Sequence, residues 1–166
     1  MSITRRSLLL GGMVGIAGSI FMLRQTFAAE QAPHNIEKNP KFVSTPFTLG
    51  VASGDPEADG FVIWTRLAPT PLEEAGGMIL KPMWVKWEVA EDEHMSRVVA
   101  RGQALAHPEL AHSVHVEVGG LKAARPYWYR FRIAEYDSPV GRGQTLPQAG
   151  AAVERVRFAV AGCQQY

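Results

Sequence analysis

The sequence has one cysteine, Cys163, so a disulfide within the chain is excluded. Outside the cytoplasm a lone thiol is buried, paired with another molecule, or a ligand. Charge of one sign is also missing. Seventeen Lys and Arg stand against 16 Asp and Glu, a net charge of +1, which makes no electrostatic case for nucleic acid or an anionic membrane surface. Long hydrophobic runs are absent too: the most apolar stretch, Leu8 to Leu23, is diluted by Gly11, Gly12, Gly15 and Gly18. It falls short of the ~20 residues that span a bilayer, so no stable membrane span is expected. No segment sustains the helical period, and no nucleophile–base arrangement stands out. Gly50-Val51-Ala52-Ser53-Gly54-Asp55 lacks both the Walker spacing and its lysine, which excludes a nucleotide loop.

What is present begins with Thr4-Arg5-Arg6-Ser7-Leu8-Leu9, a paired arginine directly before the mild apolar stretch. This looks like a twin-arginine export signal, which engages the twin-arginine translocase and carries proteins across the membrane already folded. The alternative is a general secretory signal with Arg5 and Arg6 as its positive end. Either reading places the mature protein in the periplasm or outside the cell. Small residues around Ala28 suit a peptidase cut, which leaves about 135 residues, one ordinary domain. The expected organisation is a signal over residues 1–28, a proline-bearing linker over 29–45, a sandwich over 46–148, and a linker with one further strand over 149–166.

Within the domain, apolar residues alternate with polar ones. Val85, Trp87 and Val89 alternate with Lys86 and Glu88, and Val114, Val116 and Val118 with Ser113, His115 and Glu117. Tyr127, Tyr129, Phe131 and Ile133 form a third inward row, with Arg130 and Arg132 projecting the other way. Alternation with period two gives each strand one apolar face. Further strands are predicted over 47–52, 61–66, 98–104, 140–145 and 156–161. Two sheets packed face to face bury these rows, an all-β, fibronectin type III or immunoglobulin-like β-sandwich. Leu121, six residues before the strand-opening Tyr127, resembles the corner of such sandwiches, in which the tyrosine hydroxyl bonds back to the loop backbone. An ordinary inward tyrosine beside a loop leucine is the other reading.

Polar residues at turns have plain explanations. Asp55 and Asp59 flank a tight connection in which Asp55 accepts backbone amides and Gly60 takes positive φ; a metal-ligand role is the alternative. His112 and His115 are predicted on opposite faces of a strand, and all five histidines read as surface or supporting residues. Trp87 shares parity with valines and is expected in the core. Trp84 and Trp128 share parity with polar residues and are expected to cover a sheet or an interface, and a sugar-binding platform is the sharper alternative. Cys163 follows the apolar Phe158-Ala159-Val160-Ala161 and reads as either a small buried residue or a metal ligand.

Residues 47–56 and 59–69, followed by Val85–Ala90, His115–Val118, Gly120-Leu121, Tyr127–Phe131 and Val140–Arg142, resemble successive parts of the amino-terminal sandwich of the PhoD-like alkaline phosphatase and phosphodiesterase family. The resemblance implies an exported metalloenzyme that hydrolyses phosphate mono- or diesters with iron and calcium. It also implies a calcineurin-like α/β domain after the sandwich. Arg157–Tyr166 resembles the first strand of that domain, with Cys163 matching an iron-binding thiolate. The Asp, Asn and His ligands that complete the centre are not in these residues, so this stretch alone is expected to be inactive and to bind neither metal. The sequence departs from the family pattern at Gly162, where serine is usual, at Gly143, where threonine is usual, and at Ala123-Ala124, where a Pro-Gly turn is common. An exported, non-catalytic β-sandwich binding module is the alternative function.

Overall fold

A computed structural model describes residues 35–155 and Gly162. Eight strands follow in order: β1 (Val51–Gly54), β2 (Phe61–Arg66), β3 (Met83–Ala90), β4 (Val98–Ala106), β5 (Ser113–Val118), β6 (Pro126–Ile133), β7 (Tyr136–Asp137) and β8 (Gly141–Gln144). Short 3-10 turns occupy Glu74–Gly77 and Pro108–Leu110. The strands form two antiparallel sheets, β1-β2-β5 and β4-β3-β6-β7, with β8 also paired to β6. The β-sandwich expected from the alternating pattern is the fold observed.

Parity builds the core. Along β2, Phe61, Ile63 and Thr65 are buried between half-buried neighbours, and β6 repeats the pattern with Tyr127, Tyr129, Phe131 and Ile133. Val85 and Val89 of β3 and Val114 and Val118 of β5 complete the two inner faces. Phe61 links the sheets, its ring centroid lying 6.3 Å from that of Tyr127 and 6.2 Å from that of Tyr129. These rings explain the glycine of β8. A Cβ on Gly143 would stand 2.7 Å from a ring carbon of Phe61, so a threonine there would need that ring to move.

Three local expectations are corrected. The first strand begins at Val51, not Phe47, because Gly50 turns the chain at φ +71° and its N–H donates to the Phe47 carbonyl over 3.0 Å. Phe47 still enters the core, from a loop. Positive φ in the β1–β2 connection falls on Asp55, at +45°, and not on Gly60. Gly60 is required for a different reason: a Cβ would lie 2.2 Å from the Val118 carbonyl oxygen. Trp87 is half-buried, not enclosed, packing against the core from above Gly102 of β4, its register partner. The strand predicted over 156–161 lies outside the described residues.

Candidate functional site

The residues singled out from the sequence are not brought together. Arg5, Arg6 and Cys163 lie outside the described residues. Asp55 is exposed in the β1–β2 connection, which is held by backbone bonds: Glu57 N–H to the Gly60 carbonyl and Leu121 N–H to the Asp59 carbonyl, each 2.8 Å. Tyr127 is buried, and its hydroxyl accepts the Lys122 N–H over 2.8 Å. The same hydroxyl points to the Lys122 carbonyl at 3.4 Å, which also accepts from the Thr145 hydroxyl over 2.8 Å. This contact closes the loop that starts at Leu121, itself buried.

The surface reading of His112 is corrected. Its residue is 1% exposed and adopts φ +55° just before β5, off the strand. Its Nε2 lies 3.2 Å from the Lys81 carbonyl oxygen, and its Nδ1 has no partner among the described residues. Burial holds this imidazole below its ordinary pKa, since desolvation penalises the charged ring. His115, by contrast, is exposed on β5, its ring centroid 6.4 Å from that of Trp64.

Among the described residues no three or more His, Cys, Asp or Glu gather where they could hold a metal ion. The described residues therefore do not by themselves fit an iron and calcium centre.

Charge is more informative. The outer face of the larger sheet carries Lys86, Arg101, Arg130, Arg132 and Arg142 against two carboxylates, Glu88 and Asp137, as cross-strand register places them. Arg130 donates to Glu88 from both Nε (3.0 Å) and Nη2 (2.8 Å). Arg132 grips Asp137 with two hydrogen bonds, which hold that carboxyl below its ordinary range. The Arg142 guanidinium stands over Trp128 at 5.9 Å. At one end of this face, the segment around Lys38 and Lys41 runs beside β3, tied there by a parallel bridge of Glu37 to Met83. Between them lies a groove of about 500 Å³ with Lys38, Lys41, Trp84, Lys86 and Arg132 in its walls. Strand parity put Trp84, Arg130 and Arg132 on the polar side. The sequence lacked the neighbour order β4-β3-β6-β8, which collects them on one surface.

The chain matches the model of the family described as PhoD-like phosphatase, N-terminal domain, over residues 30–147. It belongs to that family. Alkaline phosphatase D of Bacillus subtilis (strain 168) is 52% identical over 141 residues, covering 85% of this chain and 24% of the relative. A solved structure of PhoD superposes with a TM-score of 0.67 and 56% identity, over 69% of this chain and 22% of that one. The 6th fibronectin type III domain from a human fibronectin type III domain containing protein superposes with a TM-score of 0.41 and 15% identity, over 75% of this chain and 98% of that one. This chain is thus the counterpart of the amino-terminal part of a PhoD-like alkaline phosphatase D, and spans about a quarter of that relative's length. No helix among the described residues is long and apolar enough to cross a membrane.

Proposed function

We propose that this chain is the amino-terminal sandwich of an exported, metal-dependent phosphoesterase that hydrolyses phosphate mono- or diesters. The observation that carries the reading is the 52% identity to alkaline phosphatase D, sustained over 141 residues. In this reading the sandwich adjoins and supports the catalytic domain and supplies no reacting group of its own. The catalytic residues belong to the part of the relative that this chain does not span. Cys163, the one thiol of the sequence, would join them as an iron ligand, with calcium completing the centre. A thiolate suits a transition metal and calcium prefers oxygen ligands, so the two ions divide the donors by softness. Arg5 and Arg6 would direct export through the twin-arginine translocase, a route that suits a protein loaded with metal before it crosses.

The test is made on the full-length protein in its native host. Metal content, hydrolysis of one aryl phosphate monoester and one aryl phosphodiester, and the protein's location are measured together. Expected results are bound iron and calcium, turnover of at least one ester, loss of iron in Cys163→Ser, and retention in the cytoplasm when Arg5 and Arg6 are both changed to Lys. Metal-loaded protein that hydrolyses neither ester would overturn the catalytic reading.

A further inference from the structure

The groove at the edge of the larger sheet has a charge pattern that a structural surface does not need. Glu37, the one acidic wall residue among the described residues, already has partners: its carboxylate accepts the Asn39 N–H over 3.1 Å and lies 3.7 Å from the Lys81 ammonium. Arg132 is likewise spent on Asp137. Lys38, Lys41 and Lys86 have no carboxylate within 4.0 Å among the described residues. Lys86 is flanked in register by Gln103 and Arg132, neither of which neutralises it. Three lysines without a paired carboxylate thus line one concavity whose single carboxylate, Glu37, faces Lys81, and a concave surface lined by one sign of charge concentrates its field.

The second element is apolar. Trp84 is 41% exposed beside these lysines, while Pro40 and Ile133 also line the groove. A tryptophan left in solvent next to unpaired cations offers a flat stacking face adjacent to an anion site. The volume of about 500 Å³ is that of a small-molecule site.

We infer that this groove binds a small phosphorylated ligand carrying a flat ring, such as an aryl or nucleoside phosphate, with the phosphoryl oxygens on Lys38, Lys41 and Lys86 and the ring against Trp84. The choice of phosphate over other anions rests on the phosphoesterase reading above; the groove's demand for an anion beside a ring does not. The site is a non-catalytic one: among the described residues no Ser, Thr, Cys or His lines it, and its one carboxylate, Glu37, belongs to no metal-holding cluster. It would hold a phosphate ester on the sandwich, raising its concentration near the enzyme.

The experiment uses the full-length protein labelled with 5-fluorotryptophan and the non-hydrolysable probe phenylphosphonate, followed by fluorine NMR. The Trp84 resonance is identified by its disappearance in Trp84→Phe. The expected result is a saturable shift of that resonance by phenylphosphonate. Affinity should weaken at least ~10-fold in Lys41→Gln/Lys86→Gln, because two charge-assisted contacts are lost, and should fall with added salt. Inorganic phosphate should compete for the site while leaving a smaller change at Trp84. An unperturbed Trp84 resonance at saturating probe would overturn the inference, including the case in which another part of the protein or a second copy covers the groove. So would binding that the double variant leaves unchanged while its melting temperature is normal. Hydrolysis is assayed separately. Its absence would refute the proposed function and leave the Trp84 readout intact, whereas an active enzyme with a silent Trp84 would refute the groove alone.

Discussion

Tyr127→Phe isolates the hydrogen bond that closes the loop before β6. The substitution keeps the ring and its packing on Phe61, 6.3 Å away, and removes only the hydroxyl. Lys122 then loses the acceptor for its N–H, a 2.8 Å bond, while its carbonyl keeps the Thr145 hydroxyl at 2.8 Å. Leaving a buried donor unpaired costs ~1–3 kcal/mol. The Lys122 side chain is exposed and its backbone bond is only partly buried, so water reaches part of the site and the expected loss is ~1–2 kcal/mol. For a domain between the 60–100 and 150–250 residue classes, each kcal/mol moves the melting temperature by roughly 3–5 °C. Thr145→Val should cost a similar ~1 kcal/mol, since the buried hydroxyl also accepts the Arg125 N–H at 3.3 Å. Because both side chains meet at Lys122, the double variant should depart from additivity by at least ~0.5 kcal/mol. The assay is urea unfolding of all four proteins at one pH. A loss below ~0.3 kcal/mol in Tyr127→Phe, with the slope of the transition unchanged, would refute the claim that this bond holds the corner.

Acid should weaken the fold through His112. Its native pKa lies below the ordinary 6.5 because the ring is buried, so the unfolded chain takes up the proton first as pH falls. Stability is therefore complete above the unfolded value and declines from about pH 7 downward, until the native ring also protonates. His112→Asn, which tolerates the left-handed backbone at φ +55°, should flatten that part of the pH–stability curve; an unchanged slope would clear His112 of the effect. Ala124 holds φ +56°, and Ala124→Gly should raise stability by up to ~1 kcal/mol, read as a higher urea midpoint. Gly60→Ala should do the reverse, losing ~1–3 kcal/mol or more, because its Cβ would meet a backbone oxygen at 2.2 Å that cannot rotate away.

The fold was legible because period-two alternation is a property of the local backbone. Phe61–Arg66 was read to the residue, and the inward row of Tyr127, Tyr129, Phe131 and Ile133 is buried as its parity required. The Phe47 to Ala52 stretch misled because one residue in left-handed conformation, Gly50, separates an anchoring loop from the strand. The two-residue β7 left no pattern long enough to see. The burial of His112 also lacked a local sign, since it depends on the Lys81 segment folding over a residue 31 positions away.

The sequence by itself determined which faces of β3, β5 and β6 are apolar, the corner at Tyr127 and the family, because alternation and motif spacing are written along one chain. Only the tertiary structure decided which strands are neighbours. That choice turned a chain of net charge +1 into one with a basic sheet face, and set Lys86 and Trp84 beside Lys38 and Lys41. Charge is a sum over the sequence, but a field depends on distances, and those are fixed by cross-strand pairing between residues far apart in the chain.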